Sequence, residues 1–221
     1  MINALSTADL LRLVERQIKN LFLFDPRHDA ANLSEAMEPV LLRCERCFAA
    51  TPNRYYHKNE DTFFNPYHSG QYTIFLYYLS HHIFSAQGEA CRSLADRLYY
   101  LNRCLNAVDL FYEVQMPDIF FLDHPIGSVI GRATYGTGFR FAQNCTVGNN
   151  KGRYPVIGRN VTMMAGATII GECAIGNDVI ASAGTYIKDV DIPSGCLVFG
   201  RSPALTIKRR RGDELSSLMQ S

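Results

Sequence analysis

The sequence predicts an α+β chain: an all-α helical domain over residues 1–112, then a parallel β-helix of hexapeptide repeats over 113–207. Three observations predict it. Apolar residues recur at helical spacing through the first half. From about Asp118 that pattern stops, and isoleucine, valine, glycine and small residues take over. Within the second half Ile157, Met163, Ile169, Ile175, Ala181 and Ile187 lie six apart without a gap. That period is too long for strand alternation and fits no helix, but it is the repeat of a β-helix.

Taken in order, Ser6 or Thr7 can cap a first helix whose apolar positions are Leu10, Leu11, Val14, Ile18 and Leu21. A second helix is expected from about Leu33 to Ala50, with Met37, Val40, Leu41, Cys44 and Phe48 on its apolar face. Pro39 either kinks it or marks a later start. Thr51 to Tyr67 reads as irregular, holding Pro52, Asn53, Asn59 and Pro66. A third helix is expected over Gln71–Phe84 and a fourth over Glu89–Val108. Apolar residues cover more than one face of the third, which predicts burial against neighbouring helices or another subunit.

In the β-helix each hexad makes a short strand and a turn, and three hexads close one triangular coil. The first position points inward and stacks on its equivalent one coil away. Four residues later stands a small or β-branched residue: Val161, Ala167, Cys173, Val179, Thr185. Gly158, Asn160, Gly176 and Asn177 suit tight turns. Upstream, Phe141 and Val147 keep the spacing, and Ile130 opens a similar unit. The register breaks between Val147 and Ile157, so Gly148–Pro155 is an excursion from the coil, a natural place for binding residues. Asp191 ends the series, and residues 208–221 read as a basic and polar tail.

Composition narrows the function. With 47% hydrophobic and 19% charged residues, the 221-residue chain can build a core. Lysine and arginine number 22 against 21 acids, a balance unlike that of proteins that coat nucleic acid or acidic membranes. Mean hydropathy is −0.08 and no apolar run reaches the length of a membrane span. Met1–Thr7 lacks a signal-type basic region and apolar core, so a soluble, cytoplasmic protein is expected. Seven cysteines without regular spacing are not a disulfide framework, and Cys44 and Cys47 read as buried helical thiols rather than metal ligands. No metal is expected.

Of six histidines only His124 falls in the repeat half, in Phe120-Phe121-Leu122-Asp123-His124-Pro125 where the coil begins. Asp109, Asp118 and Asp123 lie near it in sequence. An imidazole held by a carboxylate on one nitrogen can take a hydroxyl proton on the other.

These motifs resemble the serine acetyltransferases of the hexapeptide acyltransferase superfamily, over roughly residues 105–207. Leu122-Asp123-His124 matches the family's Leu-Asp-His, and Asp109, fifteen residues earlier, has the spacing of its orienting aspartate. Gln143–Gly148 and Gly152-Arg153-Tyr154-Pro155 resemble the strand and loop of its active site. Ala165–Gly171 and Ser182–Thr185 resemble coils lining its coenzyme A cleft, and Gly200–Ala204 its exit from the coil. The resemblance implies a left-handed β-helix, acetyl-CoA as donor, His124 as general base and Asp109 as its orienter. It implies acceptor contacts from Asp123, Arg153 and Tyr154, with Asp61 as the candidate from the helical half. It implies coenzyme contacts at Ala165, Gly166, Ala183, Gly184, Arg201 and Lys208. It also implies a homo-oligomer, a trimer through the coils or a hexamer when helical halves pair.

The departures point to the acceptor. Tyr154 stands where the family's loop carries a second histidine, and a tyrosine presents no cation to a carboxylate. His124 to Gln143 is about one residue short, and the chain ends Met219-Gln220-Ser221 where members that dock on the next enzyme end in isoleucine. The expectation is therefore acetyl transfer to a carbohydrate hydroxyl of a surface polysaccharide. L-serine O-acetylation is the alternative, and a non-catalytic binding scaffold the alternative from another class. A coil-borne carbonic anhydrase needs three histidine ligands and is excluded by the single one. Gly136-Thr137-Gly138 lacks the third glycine and following helix of a dinucleotide site.

Overall fold

The computed structural model describes residues 1–210. The chain divides into two compact units, Met1–Glu113 and Val114–Ser221.

In the first unit four helices form where apolar spacing and caps coincide: α1 (Thr7–Leu21), α2 (His28–Ala49), α3 (Ser69–Gln87) and α4 (Arg92–Asn106). Ser6 caps α1 by accepting the Asp9 N–H at 3.1 Å, and Leu10, Val14 and Ile18 face the core. The start of α2 lies five residues before the expected Leu33. The Asp25 side chain accepts the N–H of Arg27 at 2.9 Å, which organises the turn before it, and Pro26 is an ordinary helix-entry residue. Pro39 sits inside α2, which runs through it. Residues Tyr72–Leu79 of α3 are buried all round, because α2 and α4 pack on either side of it within the unit.

Thr51–Tyr67 is more ordered than expected. Ile2–Asn3 pairs in parallel with Phe63–Phe64, and His57–Lys58 pairs antiparallel with Asp61–Thr62. Asn59 and Glu60, both at positive φ, make the tight turn between the last two. The helical unit thus carries a small three-stranded sheet. All seven cysteines are free thiols, Cys104 being the exposed one.

The second unit is a parallel β-helix with three strand columns. Phe141, Met163 and Ala181 stack in one, Val147, Ile169 and Ile187 in the second, Tyr135, Ile157 and Ile175 in the third. Ile157 pairs with Ile175 eighteen residues on, whereas Tyr135 pairs with Ile157 twenty-two residues on. The excess of four is the Gly148–Pro155 excursion. Val161, Ala167, Cys173, Val179 and Thr185 are all buried, as their small size requires. The series ends at Asp191 because the last coil is one residue short: Ile192 bridges Ile175, while Asp191 Oδ1 accepts the Ala174 N–H at 2.8 Å.

Three corner expectations change. Asn160 is left-handed as expected, but Gly158, Gly176 and Asn177 are not; Asn144, Asp178 and Asp189 are instead. The glycines serve close approach instead: a Cβ on Gly176 would lie 2.4 Å from the Ser194 nitrogen. Gly176→Ala is expected to destabilise by about 1–3 kcal/mol through overpacking, read as a lower urea midpoint. An unchanged midpoint would show that the coil corner relaxes. The coil exits through Cys196–Arg201, which pairs antiparallel with Ala204–Arg209. Lys208 therefore lies in a strand opposite Leu197 rather than in a tail; residues 211–221 of the expected tail lie outside the described residues.

Candidate active site

His124 follows the strand Phe120–Leu122 at the first corner of the coil. The Asp123 N–H donates to the Phe141 carbonyl at 3.0 Å, and the Ile126 N–H to the His124 carbonyl at 2.8 Å. Between them His124 turns left-handed at φ 48°, a strained conformation for a residue with a Cβ. Its side chain is 90% exposed, and Nε2 lies 3.9 Å from Asp123 Oδ1, too far for a hydrogen bond.

Asp109 sits in the helical unit, in the short strand Asp109–Leu110 that follows α4. Ala107, at φ 53°, ends the helix and reverses the chain, so Asp109 comes back beside Tyr99. The Tyr99 hydroxyl donates to Asp109 Oδ1 at 2.7 Å, and Arg103 Nε lies 3.7 Å from Oδ2. Burial, then the bond to Asp109, pushes the Tyr99 hydroxyl up to about 12, so it stays a donor across the working pH range. Neither Tyr99 nor Arg103 was singled out in the sequence, although both are helical neighbours one turn apart.

The Gly148–Pro155 excursion is a hairpin, not a loose loop. Asn150 and Arg153 exchange both backbone hydrogen bonds at 3.0 Å, with Lys151 and Gly152 at positive φ between them. Arg153 Nη1 donates to Glu172 Oε1 at 2.7 Å. Tyr154 is 45% exposed beside it. Asp61 is exposed in the first unit, in register with Lys58.

Among the expected coenzyme residues, Gly166 and Gly184 stack one coil apart, both left-handed (φ 71° and 69°). A Cβ on Gly184 would meet nothing within 4 Å, so the corner is open at that position. Ala165 and Ala183 precede the two glycines, and the Gly184 N–H donates to the Ala165 carbonyl at 2.9 Å. The Arg201 guanidinium lies over the Tyr186 ring at 4.9 Å, and Lys208 Nζ 5.8 Å from the Phe199 centroid. Among the described residues no group of three or more histidine, cysteine or acidic side chains could hold a metal ion, and no helix is long and apolar enough to cross a membrane.

No protein-family model matches the chain. Curated relatives do. The serine acetyltransferase of Synechococcus elongatus is 33% identical over 108 residues, covering 47% of this chain and 44% of that protein. The serine acetyltransferase of Helicobacter pylori is 31% identical over 123 residues, covering 53% of this chain and 71% of that protein. The chain spans about half the length of the first curated relatives it matches. Among solved structures, the Neisseria gonorrhoeae serine acetyltransferase superposes over 98% of this chain and 85% of that one, with a TM-score of 0.68 at 22% identity. A serine acetyltransferase solved in complex with CoA gives 0.63 at 18% identity over 91% and 84%. The left-handed β-helix behind a helical half is the fold these structures share with the chain. With 31% identity over a 123-residue match that spans 71% of the Helicobacter pylori protein, the chain belongs to the serine acetyltransferase family.

Proposed function

We propose that the protein is an acetyl-CoA-dependent O-acetyltransferase whose acceptor is L-serine. The observation that carries the chemistry is His124: the coil bears one histidine, it stands at the coil's entry, and its ring is open to solvent beside a carboxylate. In this reading His124 takes the hydroxyl proton as the acceptor oxygen adds to the thioester carbonyl. It returns that proton to the sulfur as the C–S bond breaks, giving the acetyl ester and free CoA. Serine hydroxyls ionise far above neutral pH, so a positioned base contributes about 10²–10⁴-fold. Asp109, held by Tyr99 and Arg103, is the proposed orienter of the ring; Asp123 and Arg153 are the proposed acceptor contacts, with Asp61 as the candidate from the helical unit. Gly166 and Gly184, with Ala165 and Ala183, leave the flank along which the pantetheine arm would run, and Arg201 and Lys208 would meet its phosphates.

The carbohydrate acceptor expected from Tyr154 loses ground to serine. The relatives that match this chain are named serine acetyltransferases. Physically, Tyr154 removes a second imidazole but not the hairpin's positive charge, because Arg153 supplies a guanidinium one residue earlier. Exposed Ile126, Val129 and Val156 on the coil flanks support a homotrimer, and the need for acetyl-CoA supports a cytoplasmic location.

Thiol release from acetyl-CoA tests the reading, with L-serine, nucleotide-linked sugars and polysaccharide as separate acceptors. Release is expected with L-serine at least about tenfold faster than with any sugar, a margin one well-placed charged contact can supply. Faster release with a sugar restores the carbohydrate reading, and no acceptor-dependent release leaves the binding scaffold.

A further inference from the structure

The hairpin at the edge of the proposed site is held by a closed circuit of polar contacts that the chemistry above does not use. Asn150 Nδ2 donates to Asp189 Oδ2 at 2.6 Å. The other oxygen of Asp189 accepts the Glu172 backbone N–H at 3.0 Å. Glu172 Oε1 in turn accepts from Arg153 Nη1 at 2.7 Å, and Arg153 is tied back to Asn150 by the two backbone bonds of the turn. The four residues come from the hairpin and from the next two passes of the coil through the same corner.

The corner is built to let them meet. Asp189 is itself left-handed at φ 51°, which aims its carboxylate across the corner. A Cβ on Gly171 would stand 2.0 Å from Asp189 Oδ1 and 2.9 Å from the Asn150 Cβ, so a larger residue there would drive the circuit apart. A surface arginine on a mobile loop would sample many rotamers. Here the backbone on one side and Glu172 on the other fix the guanidinium, although Arg153 is 64% exposed. Only Nη1 is engaged; the remaining guanidinium donors have no partner among the described residues. A planar fork with one prong seated on a fixed carboxylate offers the other to an incoming carboxylate in a set orientation.

We propose that Glu172, braced by Asp189, is a positioning residue for Arg153, and that this circuit sets a preference for acceptors that carry a carboxylate next to the reacting hydroxyl. The inference rests on the acetyl-transfer reading and on Arg153 facing the acceptor. It assigns Glu172 and Asp189 a part that their exposure alone would not suggest. It also distinguishes two roles for Glu172. As a brace it strengthens acceptor binding; as a competitor for Arg153 it would weaken it.

The test compares L-serine with ethanolamine, which keeps the hydroxyl and amine and lacks the carboxylate, in wild type, Glu172→Ala and Glu172→Gln. Glu172→Ala is expected to raise the KM for L-serine about three- to fivefold, the size of an exposed ion pair. The KM for acetyl-CoA and kcat/KM for ethanolamine stay at wild-type values, so the serine-to-ethanolamine preference falls by the same factor. Glu172→Gln, whose amide oxygen still accepts from Nη1, falls between. An unchanged or lowered serine KM in both variants overturns the brace, as does an equal loss for both acceptors, which would mark a merely structural residue. A wild-type protein that turns over neither acceptor defeats the L-serine reading, and the brace with it. Wild-type turnover of serine with indifferent variants defeats the brace alone.

Discussion

His124→Ala is expected to lower acetyl transfer to L-serine by about 10²–10⁴-fold while leaving the fold intact. Two features separate the catalytic loss from a structural one. The ring is almost wholly exposed, so its removal buries nothing and opens no cavity; such surface changes stay within about 0.5 kcal/mol. The strain at this corner belongs to the backbone, at φ 48°, and alanine, which also carries a Cβ, neither relieves nor deepens it. The measurement pairs turnover at saturating substrates with a urea unfolding curve. A turnover that stays within about tenfold of wild type, below the reach of a general base, would move that role to another group.

The β-helix was legible because its physics is periodic. Any residue pointing into a triangular coil must stack on the one a full turn away, so the six-residue spacing from Ile157 to Ile187 maps directly onto three columns. Tyr135 completes the third column and keeps the same spacing, six residues before Phe141, although the sequence reading does not include it. The glycines were read for the wrong reason: Gly176 answers to the Ser194 backbone of the next coil, a neighbour no local turn rule can see. The helix starts show the same limit in reverse, for Asp25 and Pro26 spelled the entry to α2 in the chain, and an apolar pattern beginning at Leu33 hid it.

The candidate site was legible where a motif is contiguous and opaque where the fold assembles it. Leu122-Asp123-His124 reads off the chain. The Tyr99 bond to Asp109 depends on the chain reversing at Ala107, and the Arg153 bond to Glu172 on a coil whose length is set by the hairpin it closes. Neither follows from spacing before the coil is drawn. The acceptor expectation turns on a related point. Tyr154 presents no cation, while the neighbouring Arg153, whose Nη1 donates to Glu172, keeps a guanidinium on the hairpin.

The largest stability effect is expected at Asp29, far from the proposed chemistry. Its side chain is fully buried in the helical unit, where Arg97 grips both oxygens, Nη1 to Oδ2 at 2.7 Å and Nη2 to Oδ1 at 3.1 Å. The Asp25 N–H donates to Oδ2 at 2.8 Å, and His28 Nδ1 lies 3.2 Å from Oδ1. Asp29→Ala removes the carboxylate partner of the mostly buried guanidinium, which keeps only the Ser93 and Leu23 carbonyls, and leaves the Asp25 N–H without its acceptor, so unfolding of the helical unit, followed by its far-UV helix signal in urea, should cost about 3–5 kcal/mol less. The pH dependence has a definite sign. Burial by itself would raise the Asp29 carboxyl, but the bonds from Arg97, Asp25 and His28 and the Arg97 charge outweigh it and hold the group below the usual carboxylate range. A depressed native pKa gives stability that is fully present above the unfolded value, about 3.9, and is lost as pH falls through the native one. The gap between wild type and Asp29→Ala should therefore be constant from pH 7 to about pH 5 and narrow below about pH 4. A gap under about 1 kcal/mol at neutral pH, or one that persists unchanged into acid, would mean that Arg97 finds other partners and that the pair does not anchor the helices.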